Sequence, residues 1–551
     1  MQRRELLISA SAGAAWAVSG CHPAATAEHI TGGFTGIDLA RGHHLRDALR
    51  AGKPWPAPTK VMRTEVVIAG GGVAGLAAAR ALRQQGADDF ALLELEDTVG
   101  GNSRAGTLGG MAYPQGAHYL PVPGPGAPEV QDLLEELGVR QRVMGRWQYD
   151  ERTLCHSPQE RLFFQGHWQE GLLPLQGVSA TTLAQYRRFA DLVAQARSSA
   201  PWVLPMQNKP LAPAQYALAA ITFVAYLDQN GLTDSHLRWY LDYCCRDDYG
   251  AGSDTVSAWA GLHYFASRHG FHVPGMDSAD STEREGILTW PEGNAWLTRH
   301  LARPLGARVH AARVVVRIAN TRSGVEVDAL DLASQTLERW VARRAVVALP
   351  LLVAARVVQN TPDFLRHAAQ ACIYAPWLVA NLQLDEPLAD RAGAAPAWDN
   401  VLYGTASLGY VDAMHQSLQA VPGPTVLTHY RALGAEVGGP AAGRQQLLAR
   451  PWTAWRDDIL AELSAAHPDI TAKTRHIALT RYGHAMAIPT PRDPSQIGPQ
   501  ISWNMRKQLL KSERYPQRPV PHWEHLRFAH SDWAGYSVFE EAFALGHAAA
   551  A

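Results

Sequence analysis

The sequence predicts an α/β fold class with an α+β region interleaved in it, and three observations carry that prediction. The run Glu65-Val66-Val67-Ile68-Ala69 is continuous, apolar and β-branched, as a buried parallel strand must be. It ends in Gly70-Gly71-Gly72-Val73-Ala74-Gly75, a GxGxxG loop that opens a helix rich in Ala and Leu, Leu76 to Gln85, closed by Gly86. A second strand, Phe90-Ala91-Leu92-Leu93, then ends in Glu94, nineteen residues past Gly75. Strand, loop, helix, strand and acid in this order predict a Rossmann-like unit that cradles a dinucleotide, the alternative being a βαβ unit with a structural role only.

Each part has a physical task. Gly70 permits the tight turn, Gly72 lets backbone N–H groups approach a pyrophosphate, and Gly75 lets the helix pack closely on the strand. Val73 and Ala74, between the glycines of this loop, join them as expected cofactor-binding residues. Glu94 is placed to accept hydrogen bonds from ribose hydroxyls, with Leu95 beside it. Further on, segments 130–138, 182–198 and 256–267 carry apolar residues at helical spacing and predict core helices. Segment 377–384 alternates, with Leu378, Ala380, Leu382 and Leu384 on one face, and predicts a half-buried strand flooring a substrate cavity.

Composition narrows the function. Among 551 residues, 47% are hydrophobic and 18% charged, which excludes wholesale disorder. Fifty Lys+Arg balance 51 Asp+Glu, so the electrostatic footprint of a nucleic-acid binder is missing. Cys155, Cys244, Cys245 and Cys372 lack CxxC spacing, and the His522-Trp523-Glu524-His525 cluster lacks the helical HExxH spacing, so no metal site is expected.

The first 21 residues read as an address. Arg3-Arg4 precedes a mildly apolar run, Ile8 to Val18, and this resembles a twin-arginine export signal, which predicts an exported, periplasmic protein. Val18-Ser19-Gly20-Cys21 also resembles a lipobox. On that reading a lipidated Cys21 attaches the mature chain to a membrane; on the other, the signal simply ends near an isolated Cys. Residues 22–59, with the Pro-rich stretch after Lys53, read as a linker.

The residues from Glu94 onward specify the dinucleotide. Glu94-Leu95-Glu96-Asp97-Thr98-Val99-Gly100-Gly101 resembles the acid-then-Gly-Gly extension of the flavin-containing amine oxidase superfamily, whose members include monoamine and polyamine oxidases and phytoene desaturases. Matching segments come in the family's order: Gly116-Ala117-His118-Tyr119, Trp290-Pro291-Glu292-Gly293-Asn294, Val315-Val316-Arg317-Ile318, Ala345 to Pro350, and Arg481-Tyr482. Near the end, Phe528-Ala529-His530-Ser531-Asp532-Trp533-Ala534-Gly535-Tyr536 with Glu540-Glu541-Ala542 resembles the C-terminal flavin motif.

The resemblance implies a discontinuous FAD-binding domain from 60–115, 285–350 and 475–551, and a substrate domain from 116–284 and 351–474. It implies FAD contacts at Gly101, at Arg104 (displaced two residues from the family's Arg), at Val315 and at Asp532. Ser537 and Val538 then start a helix whose dipole points at the flavin. His118 would lie beside the flavin ring and Tyr536 would form one wall of an aromatic cage.

The same resemblance sets the expected chemistry: hydride transfer from a substrate C–H to flavin N5, the substrate being a small molecule, an amine and in one version a polyamine. The electron acceptor, oxygen or a redox partner, is left open. Many relatives keep a Lys on the strand that spans about 375–384 here, whereas this chain has no Lys between Lys209 and Lys473, and Val379 or Asn381 takes its place. No Cys follows Cys372, so the FAD is expected to be non-covalent. Two rival readings stand: a desaturase- or isomerase-like flavoenzyme on an apolar substrate, and a flavin-binding partner protein without turnover.

Overall fold

The computed structural model describes residues 27–52, 55–155, 158–206, 211–268, 270–273, 286–418, 421–492 and 520–551. Residues 1–21, read as an export signal and ending in Cys21, lie outside the described residues, as do Lys53, Lys209, Lys507 and Lys511. No helix among the described residues is long and apolar enough to cross a membrane.

The dinucleotide unit forms as its sequence dictates. Val66–Ala69 is buried throughout and pairs in parallel with Phe90–Leu93 on one side and Arg344–Val347 on the other. Val309–His310 extends the sheet beyond Phe90–Leu93, and Leu526–Phe528 with His522–Trp523 extends it beyond Arg344–Val347, giving six strands. The crossover helix Val73–Gln84 starts at Gly72 and stops before Gly86, whose φ of +76° suits a residue without Cβ. A Cβ on Gly75 would stand 1.9 Å from the Gly70 carbonyl oxygen, so only glycine lets this helix sit on its strand.

Distant segments complete this layer. The C-terminal helix Phe539–Ala549 packs on Val73–Gln84. A four-stranded sheet of Arg313–Thr321, Gly324–Asp331, Thr336–Ala342 and Lys60–Arg63 covers the layer elsewhere, with a bulge between Val315 and Arg317.

The second layer is an eight-stranded sheet whose centre is Tyr374–Leu384 between Thr425–Ala432 and Thr474–Ala487. Tyr374–Leu384 is buried on both faces, not on one as its alternation suggested. Leu378, Ala380, Leu382 and Leu384 pack against Trp455, Ile459 and Leu463 of the helix Trp452–Ser464, while Trp377 and Val379 join the core on the opposite side. Helix coverage of the face expected to meet solvent is the physical reason. Thr474–Ala487, placed by the sequence in the cofactor-binding segment 475–551, runs in this larger sheet. The helices Pro128–Glu136, Ala180–Ser199 and Ala258–Ala266 occupy the stretches where helical periodicity was read.

Residues 27–52, read as linker, hold regular structure. Thr31–Phe34 is an edge strand parallel to Thr474–Ala487, and Leu39–Ala51 is a helix.

Candidate functional site

A cavity of about 480 Å³ lies where the two layers meet, and residues from both ends of the chain line it. Gly70, Gly72, Val73, Ala74, Glu94, Leu95 and Gly101 contribute one side, and Val315, Asp532, Ser537 and Val538 come from the distant segments. His118 faces the same space. Of the residues singled out from sequence, Gly75, Arg104, Asn381 and Tyr536 are not part of its wall.

The loop end is built for an anion and a sugar. No side chain caps the helix Val73–Gln84, so its first N–H groups point toward the cavity beside Gly72. Glu94 Oε2 accepts the Gly71 N–H at 2.8 Å and Oε1 accepts the Glu96 N–H at 2.8 Å, which fixes the carboxylate at the strand end. Burial pushes the Glu94 carboxyl up in pKa, and these two backbone donors oppose that push. A Cβ on Gly101 would lie 3.3 Å from Gly72 Cα, so the two glycine loops pass in contact and close this end.

The tail end is pre-organised. Asp532 Oδ2 accepts from the Leu351 N–H at 2.9 Å and from the Tyr374 hydroxyl, and Oδ1 lies 3.1 Å from His530 Nδ1. Burial alone would raise Asp532; the His530 charge and these hydrogen bonds outweigh it and hold the carboxyl below the usual range. Helix Phe539–Ala549 starts at Val538 without a side-chain cap, and Val538, Phe539 and Glu540 line the cavity.

Between these ends the wall is aromatic and acidic. Trp377, Tyr430 and Tyr482 line it from adjacent strands, and the register pairs Trp377 with Tyr482 and Val379 with Tyr430. The Tyr430 hydroxyl donates to Gly116 O and the Tyr482 hydroxyl to Gln115 O, each at 2.9 Å, so both hold the segment that presents His118. His118 stacks on Tyr430 with centroids 4.4 Å apart, and burial lowers its pKa to about 3, leaving it neutral.

Asp247, Asp248, Glu540 and Arg268 share the same cavity. Arg268 Nη2 is committed to Asp248, at 2.9 Å and 3.2 Å from its two oxygens. Burial, with the Asp248 charge adding to it, pushes Asp247 up to about 7, and burial does the same to Glu540.

Four expectations are corrected. Tyr536 is fully buried off the cavity, its hydroxyl donating to Glu541 Oε1 at 2.7 Å and its ring packed edge-on to His263, 5.4 Å away. Glu541, standing where the family motif has Gly, draws that hydroxyl inward. Asn381 is buried in the central strand and accepts from the Thr428 hydroxyl at 2.8 Å; Val379, two residues earlier, is the one on the wall. Arg104 turns toward the N-terminal segment, donating to Gly36 O at 2.7 Å and lying 3.6 Å from Glu96, because the intervening Asn102-Ser103 take the cavity positions. Gly75 acts behind the loop, in helix packing.

The residues present fit a flavin dinucleotide. An uncapped helix end, a locked acid and Asn294 Oδ1, a buried acceptor without a partner in the described structure, all border one cavity. Tyr430, Trp377, Asp247 and Glu540 were not identified as wall residues from sequence; only the sheet register and the return of the C-terminal helix bring them together.

Comparison with known proteins agrees with this geometry. A family model described as "Flavin containing amine oxidoreductase" matches residues 73–551. The flavin-containing amine oxidase B of Bos taurus is 25% identical over 304 residues, 54% of this chain and 53% of that protein, so the chain spans about half the length of the curated relatives it matches. The wild-type structure of putrescine oxidase bound to putrescine superposes with a TM-score of 0.60 at 18% identity, covering 89% of this chain and 98% of that one. A fatty acid isomerase from P. acnes that produces CLA superposes with a TM-score of 0.55 at 15% identity, covering 88% and 97%. Proteins named for amine oxidation and for isomerisation thus share one fold.

Proposed function

The chain belongs to the flavin containing amine oxidoreductase family, whose cofactor is FAD, and from that premise we propose that it oxidises a cationic amine at the cavity between its two layers. One observation carries the reading: three carboxyl groups, Asp247, Asp248 and Glu540, share the cavity wall, where among the described residues the lining guanidinium groups are already paired, Arg268 with Asp248 and Arg313 with Asp331 and Glu338. Such a balance attracts an ammonium ion and disfavours a hydrocarbon tail.

When bound, non-covalently in this reading, FAD supplies acceptance of a hydride from the substrate carbon. The chain's residues do the rest. Gly70 to Ala74, Glu94 and Val315 hold the nucleotide end, and Asp532 keeps the Leu351 and Tyr374 segments in place on the other side. Tyr430, Trp377 and Tyr482 enclose the substrate and exclude water. His118, neutral near pH 7, adds no positive charge to repel an ammonium ion. Asp247, with a pKa of about 7, is matched to take the ammonium proton onto a carboxylate oxygen and leave the amine neutral.

Val379 presents an isopropyl group where many relatives carry a Lys, so this strand brings no ammonium of its own to the wall. The support for export is the N-terminal sequence, Arg3-Arg4 ahead of the apolar run Ile8 to Val18; we place the mature protein in the periplasm on that ground.

Anaerobic titration of the purified yellow holoprotein tests the substrate class. Bleaching by mono-, di- or polyamines is expected. Bleaching by alkenes or fatty acids with none by amines would overturn the reading in favour of a desaturase- or isomerase-like enzyme, and no reduction by any donor would leave a binding protein.

A further inference from the structure

The segment ahead of the dinucleotide motif is tied at both ends. Thr31–Phe34 is hydrogen-bonded into the large sheet with Gly32 opposite Ile477. Past the strand, Gly36 O accepts from Arg104 Nη2 at 2.7 Å, and the Asp38 N–H donates to Glu96 Oε1 at 3.3 Å. Arg41 then donates to Leu95 O at 3.3 Å and to Asp97 Oδ1 at 2.8 Å. All these partners lie within a few residues of Glu94 or on the adjoining glycine loop, so helix Leu39–Ala51 is docked by its first turn onto the acid end of the nucleotide motif.

One face of that helix reaches the cavity. Gly42 and Leu45, three residues apart and therefore on the same side, line it together with Leu95, Val314 and Val315. Leu45 is buried in the cofactor-layer core, whereas Gly42 is exposed, with nothing within 4 Å of where its Cβ would stand. The helix thus forms part of the wall at Leu45 and a rim at Gly42.

We propose that Leu39–Ala51 is a clasp over the nucleotide end of the FAD site, with Leu45 as a cofactor-facing wall and Arg41 as the catch. The proposal rests on the cavity being the FAD site. The outer contact of the catch is weak because Asp97 is exposed and exposed ion pairs are screened by salt, while Arg41 also lies 3.2 Å from Asp38 and 3.8 Å from Glu96. The clasp can therefore open without unfolding the sheets behind it, and its opening governs how fast FAD leaves.

The test is the rate of FAD release from the full-length holoprotein, followed by recovery of free-flavin fluorescence after dilution. Arg41→Ala and Leu45→Ala are each expected to speed release by about 3- to 10-fold, the range for losing the hydrogen bonds of Arg41 to Asp97 and Leu95 O, one of them exposed, or a few methyl contacts. Raised salt should speed release from the wild type and leave Arg41→Ala unmoved. Arg46→Ala, which removes only a partner of Asp47, should match the wild type.

Trypsin cleavage after Arg46 and Arg50 gives a second readout that needs no variant: FAD should slow it relative to the apoprotein. Unchanged release in both variants, or equal cleavage with and without FAD, overturns the clasp. A wild type that binds no flavin would instead overturn the cofactor reading.

Discussion

A methyl group on Gly546 would stand 2.0 Å from the carbonyl oxygen of Ala74. Ala74 is on the first turn of the helix that leaves the glycine loop, and Gly546 is on the last helix of the chain, so the dinucleotide motif and the C-terminal helix meet backbone against backbone at this point. The contact explains how residues separated by most of the sequence line one cavity. Gly546→Ala should force the helices apart and cost about 1–3 kcal/mol through overpacking. Thermal unfolding and FAD content of the purified protein would check it; an unchanged melting temperature with full flavin occupancy would show that the helices yield freely.

The raised pKa values of Asp247 and Glu540, both about 7, set a pH dependence. An aliphatic amine stays protonated until about pH 10, so across neutrality only the cavity changes charge. As pH rises through about 7 the carboxyls ionise, and KM for the amine should fall. Asp247→Asn should raise KM about tenfold at pH 8 and change it little at pH 6, a value typical of one lost charge-assisted contact. Stability runs the other way. A raised carboxyl pKa contributes stability that is complete below the unfolded value, about 4, and is lost as pH rises from there through about 7, so the Asn variant should melt higher than the wild type at pH 8. A KM profile identical in wild type and variant would remove Asp247 from substrate binding.

Two tyrosines separate wall from scaffold. Tyr430 lines the cavity and holds Gly116 O, whereas Tyr536 is buried and bonded to Glu541. Tyr430→Phe should lower kcat/KM about tenfold by freeing the His118 segment, the cost of about one hydrogen bond. Tyr536→Phe should leave kcat/KM within about threefold but cost about 1–3 kcal/mol of stability, because the buried Glu541 carboxylate loses one of its donors and keeps the Met206 N–H on the same oxygen. Stopped-flow reduction paired with denaturant unfolding distinguishes the two. Loss of turnover in Tyr536→Phe at full stability would restore Tyr536 to the cage.

What could be read from sequence divides along a physical line. The unit from Val66 to Glu94 was legible because each part is local: a strand run, glycines required by backbone contacts, and an acid at fixed spacing. The tail segment around Asp532 was legible by resemblance, though its carboxylate turned out to be satisfied by Leu351, Tyr374 and His530. The wall residues Trp377, Tyr430 and Tyr482 were not assembled from sequence, because only cross-strand register makes them neighbours. Residues 39–51 were read as linker for a different reason. Gly42, His43 and His44 give this stretch poor intrinsic helix propensity, and the contacts of Arg41 and Leu45 with distant partners are what order it.

Glu94 offers the sharpest test of the nucleotide end. Its two oxygens accept from Gly71 N–H and Glu96 N–H, one from the glycine loop and one from the turn that receives Arg41 and Arg104 through Glu96. Glu94→Gln keeps the shape but replaces one acceptor with an NH2 group facing a backbone N–H. Losing a charge-assisted acceptor costs about 1.5–3 kcal/mol, so FAD affinity should fall by roughly 10- to 150-fold, measured by quenching of flavin fluorescence on titrating the apoprotein. Glu94→Asp withdraws the carboxylate by one methylene and should weaken binding as well, whereas Arg104→Lys, off the cavity wall, should change FAD affinity by less than about threefold, the scale of a contact remote from the ligand. If Glu94→Gln bound FAD as tightly as the wild type while Arg104→Lys lost it, the nucleotide would lie on the Arg104 side of the loop, and the acid would be a structural tie alone.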